Sequence, residues 1–575
     1  MKKSFFAVML AFVMVIAVTA SCGGSGSGSS GSGSSSAAAD LSNVARKDPY
    51  MKHSPEVSVK MVASDISYVV VFEDGDDMEN NDWTRAYKDE LGVNVDFMWI
   101  SDASQYDTRI EMMLASGDLA DIFPVKGVNF QQLYENGLIE DLSVAYLEFI
   151  SDDAKRLITE AGPYAVDACT RDGRLMALPH TGNQIENIPL LGIRTDWLDN
   201  LNLSMPTTYQ ELEDVLIAFA TQDPDGNGID DTFNFMLEKN SFTNDSDANG
   251  FFFMFDAWPG TWVDDGGKLV WGGVQPNCKE ALAALKRLYD SGAINKEFPT
   301  FDYAKAIEYV TAGKVGAQIT GYYGSSSSNT GYVKSTGNVD FWTSVALPSA
   351  TSNKNKLAYG TEPYNYHVVK KGYANPEIAV QMMNMFINEF YINTMPNERY
   401  LRLVQNEVGT NPKWNLSLCQ AYRPANNINN FRLLSKWHET GDQSYYDSVT
   451  ALGKTFYAGG IEYRDTGNLD QWFWWLMHCP EYESPSMAIT SKNIADGNLQ
   501  PNLFYGAPTE TMTERWNTLW DRQVLAYQNI VTGGPIDDFD KFVAEWRSMG
   551  GDAIEREVNL WYEDHKNADD IIFVR

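Results

Sequence analysis

Cysteine and histidine are scarce in this chain of 575 residues, which contains five cysteines and six histidines. Beyond Cys22, the cysteines are far apart in sequence; they are Cys169, Cys278, Cys419 and Cys479. Disulfide scaffolds and structural zinc sites use paired or closely spaced ligands, and neither pattern occurs here. No two histidines stand at the spacing of metal ligands. The sequence predicts buried free thiols, with any cysteine pairing left open.

Basic residues are also few, since 44 Lys and Arg stand against 77 Asp and Glu, a formal net charge of −33. Removal of residues 1–21 would take away two lysines and no acids, so the mature charge would be −35. A surface with this charge repels phosphate backbones and anionic headgroups, and no basic stretch offsets it. Nucleic acid is therefore excluded as a partner, and the folded body is not expected to bind a lipid surface.

Long apolar runs are absent after the amino terminus. The apolar run from Phe5 to Val18 is itself shorter than the roughly 20 residues that a membrane helix needs. With Lys2 and Lys3 before it and small residues after it, this run predicts a secretory signal peptide over residues 1–21. The chain that follows is predicted to form a soluble body.

The junction after this signal predicts a lipid anchor. The segment Thr19-Ala20-Ser21-Cys22 resembles the lipobox of bacterial lipoproteins, in which the cysteine is acylated, although Thr19 replaces the usual leucine. Residues 23–36 are only Gly and Ser, a flexible coil that spans about 20 Å. We expect residues 22–36 to be an acylated Cys22 and its tether, holding the protein on the extracellular face of the cell membrane. Ordinary secretion with a chance cysteine is the alternative.

The start of the body alternates strands and helices. Strands are predicted from Val57 to Ala63, Val93 to Trp99 and Asp121 to Val125, separated by helices from Asn81 to Leu91 and Tyr106 to Ala115. This order implies a parallel α/β sheet, and ligands bind beyond the carboxyl ends of such strands. The loop from Pro124 to Asn129 is therefore a candidate pocket rim, or else a plain solvated loop.

A calcium loop is the sharpest local motif. Thr208 and Glu211 have the spacing of a helix capping box, and an Asp- and Gly-rich segment follows that helix. Its oxygens match loop positions 1, 3, 5, 7 and 9 of an EF-hand. The expected ligands are Asp223, Asp225, Asn227, the carbonyl of Ile229, and Asp231. Position 12 is Asn234 instead of glutamate, which leaves the last ligand open; a turn without metal is the alternative. A structural role is predicted for the calcium.

Several segments in sequence order resemble one protein family. They are Ala115–Phe123, Asp172–Pro179, Arg194–Leu203, Pro206–Thr208 with the Asp223 loop, Tyr505–Met512, Pro535–Asp540, Gly550-Gly551 and Glu557–Trp561. Together they resemble bacterial extracellular solute-binding lipoproteins, the substrate-binding components of carbohydrate ABC importers. This family includes alginate-oligosaccharide binders that hold a calcium ion. The resemblance covers roughly residues 55 to 563, and family members differ in the ligand that they carry.

The resemblance implies an α/β type II periplasmic-binding-protein fold, in which two discontinuous lobes close on a ligand at a hinge. The chain would cross between lobes near residues 178–182 and 347–360. Lobe 1 would contain residues 56–180 and 361–435, and lobe 2 would contain residues 181–360 and 436–575 with the calcium loop. A strand from His367 to Val369 and a helix from Pro376 to Tyr391 are predicted after the second crossing.

Aromatic residues make up 13% of the chain, and a sugar ring needs flat aromatic faces and a rim of polar side chains. Each ring alone is about as well explained by core packing. The aromatic candidates are Trp258, Trp262, Tyr322, Tyr323, Tyr364, Tyr366, Trp472 and Trp516. The polar candidates are Lys126, Asn129, His180, Asn183, Glu186, Arg464 and Asp465. The run from Trp472 to Trp475 is expected to divide between the core and the cleft.

These observations predict a monomeric, lipid-anchored receptor that captures a saccharide, expected to be an oligosaccharide, and delivers it to an ABC permease without catalysis. A peptide or another small solute is an alternative ligand. A glycoside hydrolase is a further alternative, because 77 acidic residues could include a catalytic carboxylate pair, but no catalytic motif singles one out. A structural adhesin would predict repeats, and none is found beyond the tether.

Overall fold

A computed structural model describes residues 41–182, 184–242, 247–351, 353–395, 397–405, 411–567 and 571–574. The predicted signal peptide, Cys22, the Gly/Ser tether and Asn183 lie outside these ranges. The chain divides into two units, and the structure describes a 3₁₀ turn, Leu41–Asn43, in the first. The second unit, Val44–Arg575, contains the folded body. No helix in the described ranges is long and apolar enough to span a membrane.

Fourteen short strands and many helices make up the described body. The strands are β1 (Val57–Asp65), β2 (Val93–Asp102), β3 (Ile122–Val125), β4 (Thr170–Arg171), β5 (Arg174–Leu175), β6 (Leu178–His180), β7 (Leu190–Arg194), β8 (Trp262–Asp264), β9 (Leu269–Trp271), β10 (Ala317–Thr320), β11 (Trp342–Val345), β12 (Leu357–Tyr359), β13 (Asn365–Val369) and β14 (Leu499–Pro501). The helices are α1 (Asp82–Ala86), α2 (Tyr106–Ser116), α3 (Gly127–Glu135), α4 (Ser143–Phe149), α5 (Asp152–Ile158), α6 (Tyr164–Ala168), α7 (Thr195–Asn200), α8 (Tyr209–Thr221), α9 (Asp247–Phe253), α10 (Pro276–Ser291), α11 (Tyr303–Thr311), α12 (Gly324–Ser327), α13 (Thr330–Thr336), α14 (Glu377–Ile387), α15 (Glu398–Leu403), α16 (Asn426–Thr440), α17 (Gln443–Asp447), α18 (Ala451–Thr466), α19 (Trp472–His478), α20 (Ser486–Ala495), α21 (Glu510–Val531), α22 (Asp538–Trp546) and α23 (Asp552–His565). π-Helical turns extend α1, α14 and α22 through Tyr87–Leu91, Asn388–Ile392 and Arg547–Gly551.

The early strands and helices are confirmed, but the predicted sheet is only partly parallel. Strands β1 and β2 pair in parallel over their whole lengths. Strand β3, predicted to join them, instead pairs antiparallel with β13, which also pairs antiparallel with β6. The reason is that β13 returns from more than two hundred residues later in the chain and inserts between β3 and β6. Strands β3 and β6 therefore run in the same direction with their carboxyl ends at one edge.

A second sheet has β7 at its centre, between β10 and β11, and both pairings are antiparallel. Helix α8 packs on this part of the body because Leu212, Leu216 and Phe219 lie on one buried face. The predicted capping box starts this helix: the Thr208 hydroxyl accepts a hydrogen bond from the Glu211 amide at 3.2 Å, and the Glu211 carboxylate accepts one from the Thr208 amide at 3.1 Å.

Both predicted crossing segments meet side by side. Residues 181–182 and 359–361 line a small cavity of about 30 Å³ between the two sheets' connecting segments. Gly360 allows close approach there, because a Cβ atom on it would lie 2.1 Å from the Gln184 side chain. Helix α16 buries Ile428 and Phe431 against Leu190 and Met477, which belong to the predicted second lobe. The first residues of this helix, expected in lobe 1, therefore pack with residues expected in lobe 2.

Candidate ligand-binding cleft

Two cavities border the loop that begins α3. The first, here called the histidine cavity, has a volume of about 320 Å³ and is lined by Lys126, His180 and His367 among others. The second, the aromatic cavity, has a volume of about 610 Å³ and is lined by Val128 on one side and by tryptophans from distant segments on the other. Lys126 and Val128 lie two residues apart, so the predicted pocket rim from Pro124 to Asn129 separates the two cavities.

Four tryptophans form the wall of the aromatic cavity. Trp262 and Trp271 face each other across the β8–β9 hairpin, and Trp516 and Trp520 lie one turn apart on α21. The Trp516 ring stacks on Trp262, with centroids 6.1 Å apart and an angle of 25°, and meets the Trp271 ring edge-on at 4.8 Å. Trp262 and Trp271 are buried, whereas Trp516 and Trp520 are only half-buried. The rings of α21 therefore have surface left for a ligand.

Polar groups surround this aromatic wall. Asn502, Thr513 and Asn517 line the same cavity. The Asn502 side chain is held in place because its Oδ1 accepts a hydrogen bond from the Trp262 amide at 3.0 Å. The Trp271 indole donates to the Gln523 side chain at 2.8 Å, which fixes the ring behind Trp516. An apolar wall with a few polar groups is the usual composition of a small-molecule site.

The histidine cavity contains imidazoles that are neutral at pH 7. Burial lowers the pKa of His367 to about 4, and burial together with the charge of Lys126 holds the pKa of His180 well below its usual value. The His367 Nε2 lies 3.0 Å from the Gln420 carbonyl, which can only accept, so Nε2 carries the proton and Nδ1 is an acceptor. His367 Nδ1 and His180 Nε2 are buried without a hydrogen-bond partner in the described structure. A ligand hydroxyl in this cavity could satisfy either nitrogen.

The expected ligand residues are spread over several surroundings. Lys126, His180, Trp262 and Trp516 line the two cavities. Tyr364 is partly exposed beside His180, with ring centroids 6.0 Å apart, and its carbonyl accepts a hydrogen bond from Lys126. Asn129, in the first turn of α3, and Trp258, whose indole donates to the Lys356 carbonyl at 2.8 Å, are near the cleft but are not among the lining residues.

Other expected ligand residues have structural partners instead. Tyr366 is buried and stacked on Phe130 at 4.7 Å. Glu186 is buried and accepts hydrogen bonds from the Asn427 and Ile428 amides at the start of α16.

The remaining candidates lie on the predicted second lobe. Trp472 is fully buried, and Tyr322 is buried with its hydroxyl accepting from Asn427. Tyr323 is 46% exposed beside Phe473. Arg464 and Asp465 are exposed and form an ion pair with each other at 2.7 Å.

Sequence reasoning missed Trp271, Trp520, Phe504 and His367 as cavity residues. One local signal was available: Trp520 follows Trp516 by four residues, so both share one face of a helix. No local signal identifies Trp271, because its pairing with Trp262 depends on the hairpin and its burial depends on α21.

The predicted calcium loop forms a tight turn. The Asp223 carboxylate accepts hydrogen bonds from the amides of Asn227 at 3.0 Å and Gly228 at 2.9 Å. Gly226 and Gly228 both have left-handed backbone angles, with φ of +66° and +80°, which favour glycine. The Asn227 side chain accepts from the Ile229 amide at 2.7 Å. The expected ligand residues therefore share one turn.

A lysine lies between the carboxylates of this turn. The Lys314 ammonium is 2.9 Å from Asp225 Oδ2 and 2.7 Å from Asp231 Oδ1. Among the described residues, no three His, Cys, Asp or Glu side chains converge as a metal-binding group. Asn234 is fully buried and donates to the Leu216 carbonyl at 2.7 Å. In the described structure Lys314 therefore pairs with two of the expected carboxylate ligands, and these carboxylates do not converge on one point.

Comparison with known proteins identifies the family. The chain is 32% identical over 235 residues to the lipoprotein LipO of Bacillus subtilis, covering 40% of this chain and 45% of LipO. It is 30% identical over 227 residues to the fructooligosaccharide ABC transporter substrate-binding protein FusA of Streptococcus pneumoniae, covering 36% of this chain and 40% of FusA. The matched segments thus span less than half of either relative.

Solved structures and a family model extend this likeness. The structure of FusA in complex with kestose aligns with a TM-score of 0.57 at 17% identity, over 89% of this chain and 99% of FusA. The alginate-binding protein AlgQ2, solved without calcium ion, aligns with a TM-score of 0.56 at 15% identity, over 90% of this chain and all of AlgQ2. These likenesses confirm the two-lobed α/β solute-binding fold. The model of the bacterial extracellular solute-binding proteins matches residues 75–389. That match spans more than half of the sequence, so the chain belongs to the bacterial extracellular solute-binding protein family.

Proposed function

We propose that the protein captures a saccharide outside the cell and delivers it to an ABC permease, without chemical conversion of the ligand. The observation that carries this proposal is the half-buried pair Trp516 and Trp520, which lines a cavity opposite Val128. Aromatic faces pack on the C–H face of a sugar, and the neighbouring Asn502 and Asn517 can bind its hydroxyls.

The proposed ligand is an oligosaccharide, because the aromatic and histidine cavities flank the same loop and offer two adjacent places for sugar rings. The names of the relatives support this ligand class: FusA is described as a fructooligosaccharide-binding protein and AlgQ2 as an alginate-binding protein. The unpartnered nitrogens of His180 and His367 would bind hydroxyls of a ring beside Lys126.

Capture would proceed by hinge closure. The proposed lobe 1 holds β1–β3 and β13, and lobe 2 holds the β7 sheet and α21, with the lobe division near residues 180, 360 and 425 rather than 435. A ligand that contacts Lys126 and Trp516 together touches both lobes, so its binding free energy favours the closed state. Acylation of Cys22 would keep this receptor, acting as a monomer, beside its permease on the outer face of the membrane.

A structural calcium ion is part of this proposal. The turn offers three carboxylates, the Asn227 amide oxygen and the Ile229 carbonyl, which is a donor set of hard oxygens that suits calcium. One solved FusA structure is that of an EF-hand mutant, which supports a loop of this kind in a relative. Lys314 would have to leave Asp225 and Asp231 for these oxygens to bind the ion. Calcium would replace the positive charge that Lys314 places in this turn, and it would stabilise lobe 2.

Native mass spectrometry of the mature chain carrying Cys22→Ser, mixed with a defined oligosaccharide library, tests the function. We expect intact oligosaccharide to be retained by the protein, and weaker retention in the cleft of Trp516→Ala. Tyr303→Ala is the matched control, since Tyr303 is 62% exposed on α11 and lines neither cavity. Shortened products after long incubation would identify a hydrolase, and retention of peptides but no sugar would identify a different solute.

A further inference from the structure

Another cavity lies wholly on the proposed second lobe. It has a volume of about 480 Å³ and is formed where the edge strand β11 meets α19 and the segment before α20. We call it the outer cavity, and its lining residues come from the segments 195–205, 339–345, 463–476 and 482–484. None of its lining residues also lines the histidine or the aromatic cavity. The outer cavity is therefore distinct from the cleft.

Five aromatic residues line the outer cavity. Trp342 and Trp472 are buried at its base, whereas Tyr463, Trp475 and Tyr482 are half-buried. The Trp475 and Tyr482 rings are 6.1 Å apart at an angle of 60°, so they form two non-parallel walls. These rings leave aromatic surface available at the mouth of the cavity.

The run of aromatic residues in α19 explains this arrangement. Trp472 and Leu476, four residues apart, share the buried face of the helix, which packs on Phe341 and Trp342. Trp475 is on another side of the helix and turns toward Tyr482. Within this run Trp472 is buried, whereas Phe473, Trp474 and Trp475 are half-buried, and none of the four lines the histidine or the aromatic cavity.

Polar groups of the outer cavity select a kind of ligand. The Trp342 indole nitrogen is buried without a hydrogen-bond partner in the described structure, and an indole N–H can only donate. Asp340 and Glu483 are exposed among the lining residues, and ionised carboxylates can only accept. A sugar hydroxyl both donates and accepts, so it can pair with either type of group. Two carboxylates would repel a phosphate or a uronate.

We propose that the outer cavity is a second saccharide-binding site, specific for neutral sugar rings. This site would be additional to the cleft. The inference rests on the proposed function only because that function makes saccharides the class of ligand to be tested. Because one lobe supplies the whole lining, binding there makes no differential contact with the open and closed states and does not drive closure. The outer cavity would hold a second neutral saccharide on the receptor while the cleft holds the first.

Native mass spectrometry of the mature Cys22→Ser chain with a series of neutral oligosaccharides tests the proposal, with galacturonide oligomers as the anionic comparison. We expect two neutral oligosaccharides bound per wild-type protein. Trp475→Ala should keep only the one in the cleft, and Trp516→Ala should keep only the one in the outer cavity. The pair Asp340→Asn with Glu483→Gln, both on exposed positions, should weaken the second binding event about tenfold without disturbing the fold. Tyr303→Ala should retain both ligands.

Three results would overturn the inference. A single bound sugar that is lost on Trp516→Ala but retained in full by Trp475→Ala would remove the second site and leave the proposed function intact. Equal binding of galacturonides at the site lost in Trp475→Ala would refute its preference for neutral rings. Binding of no saccharide by the wild-type chain would end the proposed function and the second site together. Trp475→Phe, which keeps a ring, should restore most of the lost binding if the ring itself contacts the sugar.

Discussion

Replacing Trp516 by alanine should weaken saccharide binding. One side of the ring already packs on Trp262 and Trp271, and the rest faces the aromatic cavity. If a sugar covers about 50 Å² of the remaining ring, the apolar contribution at about 25 cal/mol per Å² is about 1.3 kcal/mol. The specific geometry of an aromatic face adds about 0.5–1.5 kcal/mol. The dissociation constant should therefore rise about 20- to 100-fold.

Isothermal titration calorimetry with an oligosaccharide found in the library screen measures this change. Trp516→Phe should lose less affinity, because a smaller ring still covers part of the sugar, and thermal unfolding of each variant checks that the body is folded. A change in dissociation constant below threefold, in a variant that unfolds at nearly the wild-type temperature, would refute the assignment of Trp516 to the ligand.

Three other perturbations follow from the described contacts. EDTA should lower the melting temperature of the calcium-loaded protein. Lys314→Met should tighten calcium binding about tenfold or more, because the competing ammonium is gone; Lys305→Met, at an exposed position of α11, is the control. An unchanged melting point in EDTA, with no metal found by elemental analysis, would reject the calcium site. Glu186→Gln should gain thermal stability relative to the wild type as the pH rises from about 5 to 8. Burial raises the folded-state pKa of Glu186 to about 8, so the folded protein favours its protonated form and the wild type loses stability over this range. Melting temperatures of the two proteins that change in parallel with pH would contradict this prediction. Tyr366→Ala should destabilise the fold by about 3–5 kcal/mol in urea unfolding, since it removes the ring stacked on Phe130. Tyr366→Phe keeps the ring and should change the free energy of unfolding little. A loss of ligand affinity with normal stability would instead favour a role of Tyr366 in binding.

Local patterns were enough for many elements. The Thr208 capping box predicted the start of α8, and the alternating pattern predicted the first two helices close to their observed bounds. These features depend on neighbours within one or two turns, so the amino-acid sequence contains the whole interaction. The sheet order was harder to predict from local patterns, because the strand that pairs with β3 is β13, which lies far along the chain.

The cleft shows the same limit. Tyr364 and Tyr366 are two residues apart in one aromatic segment, yet Tyr364 is partly exposed beside His180 and Tyr366 is stacked in the core. Alternation along a regular strand would place residues two apart on the same face, but Tyr364 precedes β13, which begins at Asn365. Which of the two rings meets the cleft was decided by Phe130 of α3, which covers one face of β13.

The sequence by itself determined the family, the predicted export signal and the positions of the calcium-type turn and many helices, because each is written in residues that are close in the chain. The tertiary structure decided that Trp262, Trp271, Trp516 and Trp520 share one wall. It also decided that Lys314, 89 residues beyond Asp225, enters the Asp-rich turn. These groups meet only through the packing of separate helices and strands, and the burial energy that brings them together depends on the whole fold rather than on any local pattern.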